Sequence, residues 1–173
     1  MKKIITTPMC EEIVRLAGIE EYVVDKNPDN HLGDLAIVLS ESKVNMDSIA
    51  VKINTSSQIF ESIKKISELC ENELKDGEIL DFFKDYPLCL KYLNFNSKNN
   101  VKVKVYSNFL KDIVLDMGFD ITSDKFDYVI YPDYLKNNIN ESENLLEIPS
   151  HNDISKNPFK KAELRYSILE TLI

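Results

Sequence analysis

Apolar and β-branched residues gather along the chain into short runs, Lys3–Thr6, Tyr22–Val24, Leu35–Leu39, Ile49–Ile53, Val101–Tyr106, Tyr128–Tyr131 and Leu145–Ile148, each about the length of a strand. Between them, Pro8–Ala17, Ser57–Leu74, Asn108–Met117 and Pro158–Leu172 repeat apolar residues at three- and four-residue spacing, which is how a helix buries one face. Strand and helix therefore alternate over most of the chain. Parallel strands are joined through crossovers, so the alternation predicts an α/β fold, a largely parallel sheet flanked by helices. The segment Gly77 to Asn96 carries Ile79, Leu80, Phe82, Phe83, Leu88, Leu90, Tyr92 and Leu93 around Pro87 and predicts a helix broken by a turn. Lys136–Asn144, with four Asn residues, reads as a loop.

One pattern occurs twice. Thr7-Pro-Met-Cys-Glu-Glu-Ile-Val-Arg-Leu-Ala-Gly-Ile-Glu aligns without gaps on Ser107-Asn-Phe-Leu-Lys-Asp-Ile-Val-Leu-Asp-Met-Gly-Phe-Asp. Each is a hydroxyl cap, an amphipathic helix, a Gly stop and an apolar residue, following a strand. This predicts two pseudo-equivalent βα lobes, although any two βα units share some of this likeness. At 173 residues the chain suffices for a single α/β domain over 1–173 or for two closely packed lobes.

Charge narrows the partners. A net charge of −8 disfavours nucleic acid and anionic membranes, which are held by clustered Lys and Arg. With only Arg15 and Arg165 to offer a guanidinium fork, a bound phosphate would rely on backbone N–H groups, hydroxyls and Lys. No apolar run approaches the ~20 residues of a membrane span, and no signal-peptide core follows Lys2 and Lys3, so a cytoplasmic location is expected. Cys10, Cys70 and Cys89 are odd in number and unpaired in spacing, and free thiols are expected. No motif implies a cofactor or metal site, and a homo-oligomer stays open.

The sharpest chemical signal is Ile4-Ile5-Thr6-Thr7-Pro8-Met9-Cys10-Glu11-Glu12. If Thr7 caps a helix and Pro8 is its first residue, Cys10 falls in the first turn, where unpaired N–H groups lower a thiol pKa and make a nucleophile. Equally, Cys10 shares a face with Ile13, Val14 and Ala17, aligns with Leu110 in the echo, and is flanked by repelling Glu11 and Glu12. Position at the carboxyl end of a strand, where open α/β sheets bind ligands, tips the balance towards chemistry. Thr6, Thr7 and Met9 would line the same site. Other strand ends contribute Ser40 and Ser42, Ser107, and Ser150 with His151, while Thr55, Ser56 and Ser57 at a helix start form a candidate phosphate seat, or simple caps. His31 and His151 are candidate acids, bases or contacts, neither in a metal-spaced cluster.

The strand ending in Thr6-Thr7-Pro8-Met9-Cys10, in a small acidic α/β chain, resembles the HcgF family of iron-guanylylpyridinol (FeGP) cofactor biosynthesis in methanogens. In that family an N-terminal cysteine forms a thioester with the carboxylate of guanylylpyridinol, and Cys10 is the residue that matches. The resemblance implies capture of this nucleotide-like small molecule on Cys10. Because a free carboxylate is a poor acyl donor, it also implies an activating, adenylylating partner enzyme. Without a covalent step, the same rim would serve a non-covalent binding module.

Overall fold

The computed structural model describes residues 2–70, 73–150 and 154–173; His151 lies outside them. The chain divides into two compact units, one of residues 1–53, 57–85 and 156–158, the other of residues 54–56, 86–155 and 159–173.

In the first unit β1 (Ile4–Thr6), β2 (Tyr22–Val24), β3 (Leu35–Leu39) and β4 (Ser48–Val51) form an all-parallel sheet in the order β2-β1-β3-β4. Its helices are α1 (Glu11–Leu16), α2 (Ser56–Ser67, from Ser57 onward) and α3 (Asp76–Asp81). The second unit repeats the plan with β5 (Lys102–Val105), β6 (Asp120–Ile121), β7 (Tyr128–Pro132) and β8 (Leu145–Ile148) in the order β6-β5-β7-β8. It carries α4 (Pro87–Tyr92), α5 (Asn108–Asp116) and α6 (Pro158–Leu169, from Phe159 onward). The expected α/β fold with parallel sheets is therefore present in duplicate. β1 is buried at every residue and β3 at all but its last, which is why they read as continuous apolar runs rather than alternating ones.

The echo is realised in backbone detail. Behind α1, Gly18 has φ 90° and donates its N–H to Arg15 O at 3.1 Å, while Ile19 donates to Val14 O at 3.3 Å. Behind α5, Gly118 has φ 82° and donates to Leu115 O at 3.0 Å, while Phe119 donates to Val114 O at 3.0 Å. Both are the same left-handed helix stop, requiring Gly at its positive φ. Ile13, Val14, Ile113 and Val114 are all fully buried.

Several boundaries differ from the sequence pattern. Helix α1 starts at Glu11, not Pro8: the Cys10 and Glu11 N–H groups both bond to Thr7 O, at 3.0 and 3.1 Å, so Pro8 and Met9 are spent in a turn and Cys10 is the cap residue. In α5 the expected cap forms, with Ser107 Oγ accepting from Leu110 N–H at 3.3 Å. Helix α2 stops at Ser67 rather than Leu74, because the chain tightens into three-residue turns in which Leu69 and Cys70 donate to Ile66 O and Ser67 O. Strand β6 spans two residues, too few to leave a periodic signal. No described helix is long and apolar enough to cross a membrane.

Candidate functional site

At the carboxyl edge of the first sheet, the candidate residues are largely consumed by structure. Thr6, fully buried, donates its hydroxyl to Ile37 O at 2.9 Å and so ties β1 to β3. Cys10 is also 0% exposed, and burial, reinforced by Glu41 and only partly offset by a Thr7 hydrogen bond, pushes its thiol up to about 11. The expected low-pKa thiolate is thus corrected: α1 is a single short helix whose cap residue Cys10 turns its side chain into the core, and desolvation outweighs the few N–H groups there. Cys89, likewise buried, is raised to about 12.

Thr7 is buried, Met9 half-buried, and Ser40 and Ser42 exposed on the turn after β3, Ser40 donating to Glu41 Oε2 at 3.1 Å. His31 Nε2 meets Asp25 Oδ2 at 2.7 Å, and the Asn27 N–H followed by His31 holds the Asp25 carboxyl below its usual range. The start of α2 is no open phosphate seat, since Thr55 and Ser56 are buried and the Ser56 N–H is already given to the Tyr166 hydroxyl at 2.9 Å. Tyr166 in turn donates to Asp116 Oδ2 at 2.5 Å. Burial pushes Asp116 up to about 6, with the Tyr166 bond opposing. Among the described residues no group of three His, Cys, Asp or Glu could hold a metal ion.

A denser constellation stands at the carboxyl edge of the second sheet. Tyr106, following β5, donates to both Glu141 carboxylate oxygens at 2.9 and 2.8 Å, and Lys104 Nζ lies 2.5 Å from Glu141 Oε1. Asp133, following β7, accepts from Ser150 N–H at 3.2 Å and from the Ser150 hydroxyl at 2.5 Å. Arg165 of α6 donates from Nε to Pro149 O at 3.1 Å and from Nη2 to Ser150 O at 2.7 Å, and its guanidinium lies 4.6 Å over the Phe109 ring. The guanidinium is therefore fastened between the loop after β8 and the start of α5. Burial pulls Arg165 down to about 10, with Asp133 pulling the other way.

Ser107 and Ser150 were expected at this edge from the sequence, whereas Asp133, Glu141 and Arg165 join the constellation only in the folded chain. The available signal was a cation on the apolar face of the last helix, visible at Lys161 and Arg165. Elsewhere, a cavity of about 600 Å³ opens at the amino ends of β1 and β3, lined by Ile4, Ile19, Leu35, Leu69 and Cys70.

No family model and no curated protein matches the chain. Among solved structures, the periplasmic vitamin B12 binding protein BtuF of Vibrio cholerae superposes with a TM-score of 0.54 at 9% identity, covering 99% of this chain and 95% of its own. That likeness shows a shared fold. A nitrogenase chain (nitrogenase Cp1 at pH 6.5) aligns over 98% of this chain and 40% of its own at 11% identity, with a TM-score of 0.42, too low to support an argument.

Proposed function

We propose that this protein is a small-molecule binding module that holds its ligand non-covalently at the carboxyl edge of the β6-β5-β7-β8 sheet. The observation that carries this reading is the buried guanidinium of Arg165, 3% exposed and fixed by Pro149 and Ser150 where open α/β sheets bind ligands. A charged group in such a place costs desolvation free energy that packing alone does not require. The fold shared with a vitamin B12 binding protein supports a binding role in class only.

Thioester capture on Cys10 is not favoured, because a nucleophile has to reach solvent as a thiolate and Cys10 is buried with a raised pKa. No adenylylating partner is then needed. Guanylylpyridinol, the ligand implied by the family resemblance, is the first to test. Titrated into 15N-labelled protein, it should shift the resonances of Ser107, Asp133, Ser150 and the Arg165 side chain, with no mass gain under denaturing conditions. A hydroxylamine-labile mass gain absent from Cys10→Ser would replace this reading with acyl capture. Absence of shifts with guanylylpyridinol and with nucleoside monophosphates would overturn it.

A further inference from the structure

Helix α6 carries two buried cations one turn apart. Lys161 is 6% and Arg165 3% exposed, and their four-residue spacing places them on one helix face. The bonds from Arg165 to Pro149 O and Ser150 O occupy the Nε–Nη2 side of the guanidinium and leave the Nη1–Nη2 end without a partner among the described residues. Lys161 makes no hydrogen bond or ion pair among the described residues.

Among the described residues no carboxylate pairs with Lys161, and those of the surrounding elements hold other partners. Glu163, on the same helix, accepts from the Leu88 and Cys89 N–H groups at 3.1 and 2.9 Å. Asp116 accepts from Tyr166, and Glu170 from Lys91 and Tyr92. Asp133 is engaged with Ser150 and acts on Arg165. Lys161 is left facing the repulsion of Arg165, and as the fourth residue of α6 it also sits near the positive end of the helix dipole. Burial, then Arg165, pulls its ammonium down to about 8, so at neutral pH most of it remains charged.

In α2, the helix that follows the last strand of the first sheet, the buried positions are Ser56, Ile59, Ser62, Ile63, Ile66 and Ser67, none of them charged. We infer that Lys161 and Arg165 are the seat for an oxyanion group, carboxylate or phosphate, of the bound small molecule, an assignment that rests on the binding role proposed above. The free end of the guanidinium offers two parallel donors, the ammonium a third, and the incoming charge offsets the repulsion between the two cations.

The test uses inorganic phosphate and acetate as probes, each compared with chloride at constant ionic strength, with thermal unfolding and 15N spectra of wild type, Lys161→Met and Lys161→Gln as readouts. Wild type should unfold at higher temperature in one of the two anions, and the more effective anion identifies the group. Lys161→Met should be more stable than wild type in chloride, keep the wild-type spectrum away from α6, and bind that anion at least ten-fold more weakly. Lys161→Gln should lose the response as well. No anion response in wild type, or a response retained in both variants, would overturn the assignment. A response to phosphate without any binding of guanylylpyridinol upholds the seat and removes only that ligand. Guanylylpyridinol binding unchanged by Lys161→Met removes the seat and leaves the binding role in place.

Discussion

Alkylation of the three cysteines gives a direct measure of the chemistry available at Cys10. Iodoacetamide reacts with thiolate, and burial raises Cys10 from 9.0 to about 11, so near neutral pH its thiolate fraction is about 100-fold below that of an exposed cysteine. Full burial adds a second barrier, since the side chain at 0% exposure must open to solvent before the reagent can reach it. Cys89 faces the same two obstacles with a thiol raised to about 12. Cys70 is only partly covered and donates weakly to Ala17 O at 3.4 Å. Pulsed labelling at pH 7.5 followed by peptide mass spectrometry should therefore show Cys70 modified first, with the thiolate fractions slowing Cys10 by about two and Cys89 by about three orders of magnitude relative to an exposed cysteine. Denaturant should equalise the rates. If Cys10 in the native protein reacts as fast as Cys70 or faster, the buried-thiol account is wrong and acyl capture regains its footing.

Other outcomes follow from the same physical terms. Asp116 is raised from 3.8 to about 6, so between those values the native state holds its proton more tightly than the unfolded chain, and stability should rise as pH falls through 6, by an amount that the partial exposure of the carboxyl reduces. Asp116→Asn keeps an acceptor for Tyr166 and should gain about 1 kcal/mol at pH 7, the partly exposed charge being screened, while flattening that pH dependence in urea titrations; a loss of stability at pH 7 would refute the burial argument. Gly18→Ala and Gly118→Ala both force a side chain to positive φ, but the new Cβ meets Cys70 Sγ at 3.8 Å in the first and Ser97 O at 2.0 Å in the second. The first should cost about 1 kcal/mol and the second clearly more, measured by chemical unfolding, and equal costs would contradict the packing seen at Ser97. Glu163→Ala strips the Leu88 and Cys89 N–H groups of their acceptor and should cost about 1–3 kcal/mol, whereas no change would mean water replaces the carboxylate freely.

The parallel sheets were legible because their central strands are sandwiched by helices and so appear as unbroken apolar runs such as Leu35–Leu39. The Gly stops were legible because a left-handed helix end has few other solutions. Cys10 was misread because the sequence has no means of showing whether a first-turn side chain points to solvent or inward; Thr7 and Pro8 suit a cap equally well in a tight turn that precedes the helix. Asp133 and Arg165 were missed because the contacts that bring them together, through Ser150 and Pro149, join elements 15 to 17 residues apart and leave no local spacing rule.

Comparison of the two units separates packing from chemistry more sharply than either unit alone. Cys10 and Leu110 occupy the same place in their βα motifs and are both fully buried, an exchange of one apolar residue for another that any core tolerates. Lys161 and Arg165 on the buried face of α6 are of another kind, since the buried positions of α2 carry no charge. Burying charge lowers stability unless it is paired, and Lys161 has no partner among the described residues. A bound oxyanion would offset that cost, which favours the carboxyl edge of the second sheet over Cys10 as the proposed ligand site.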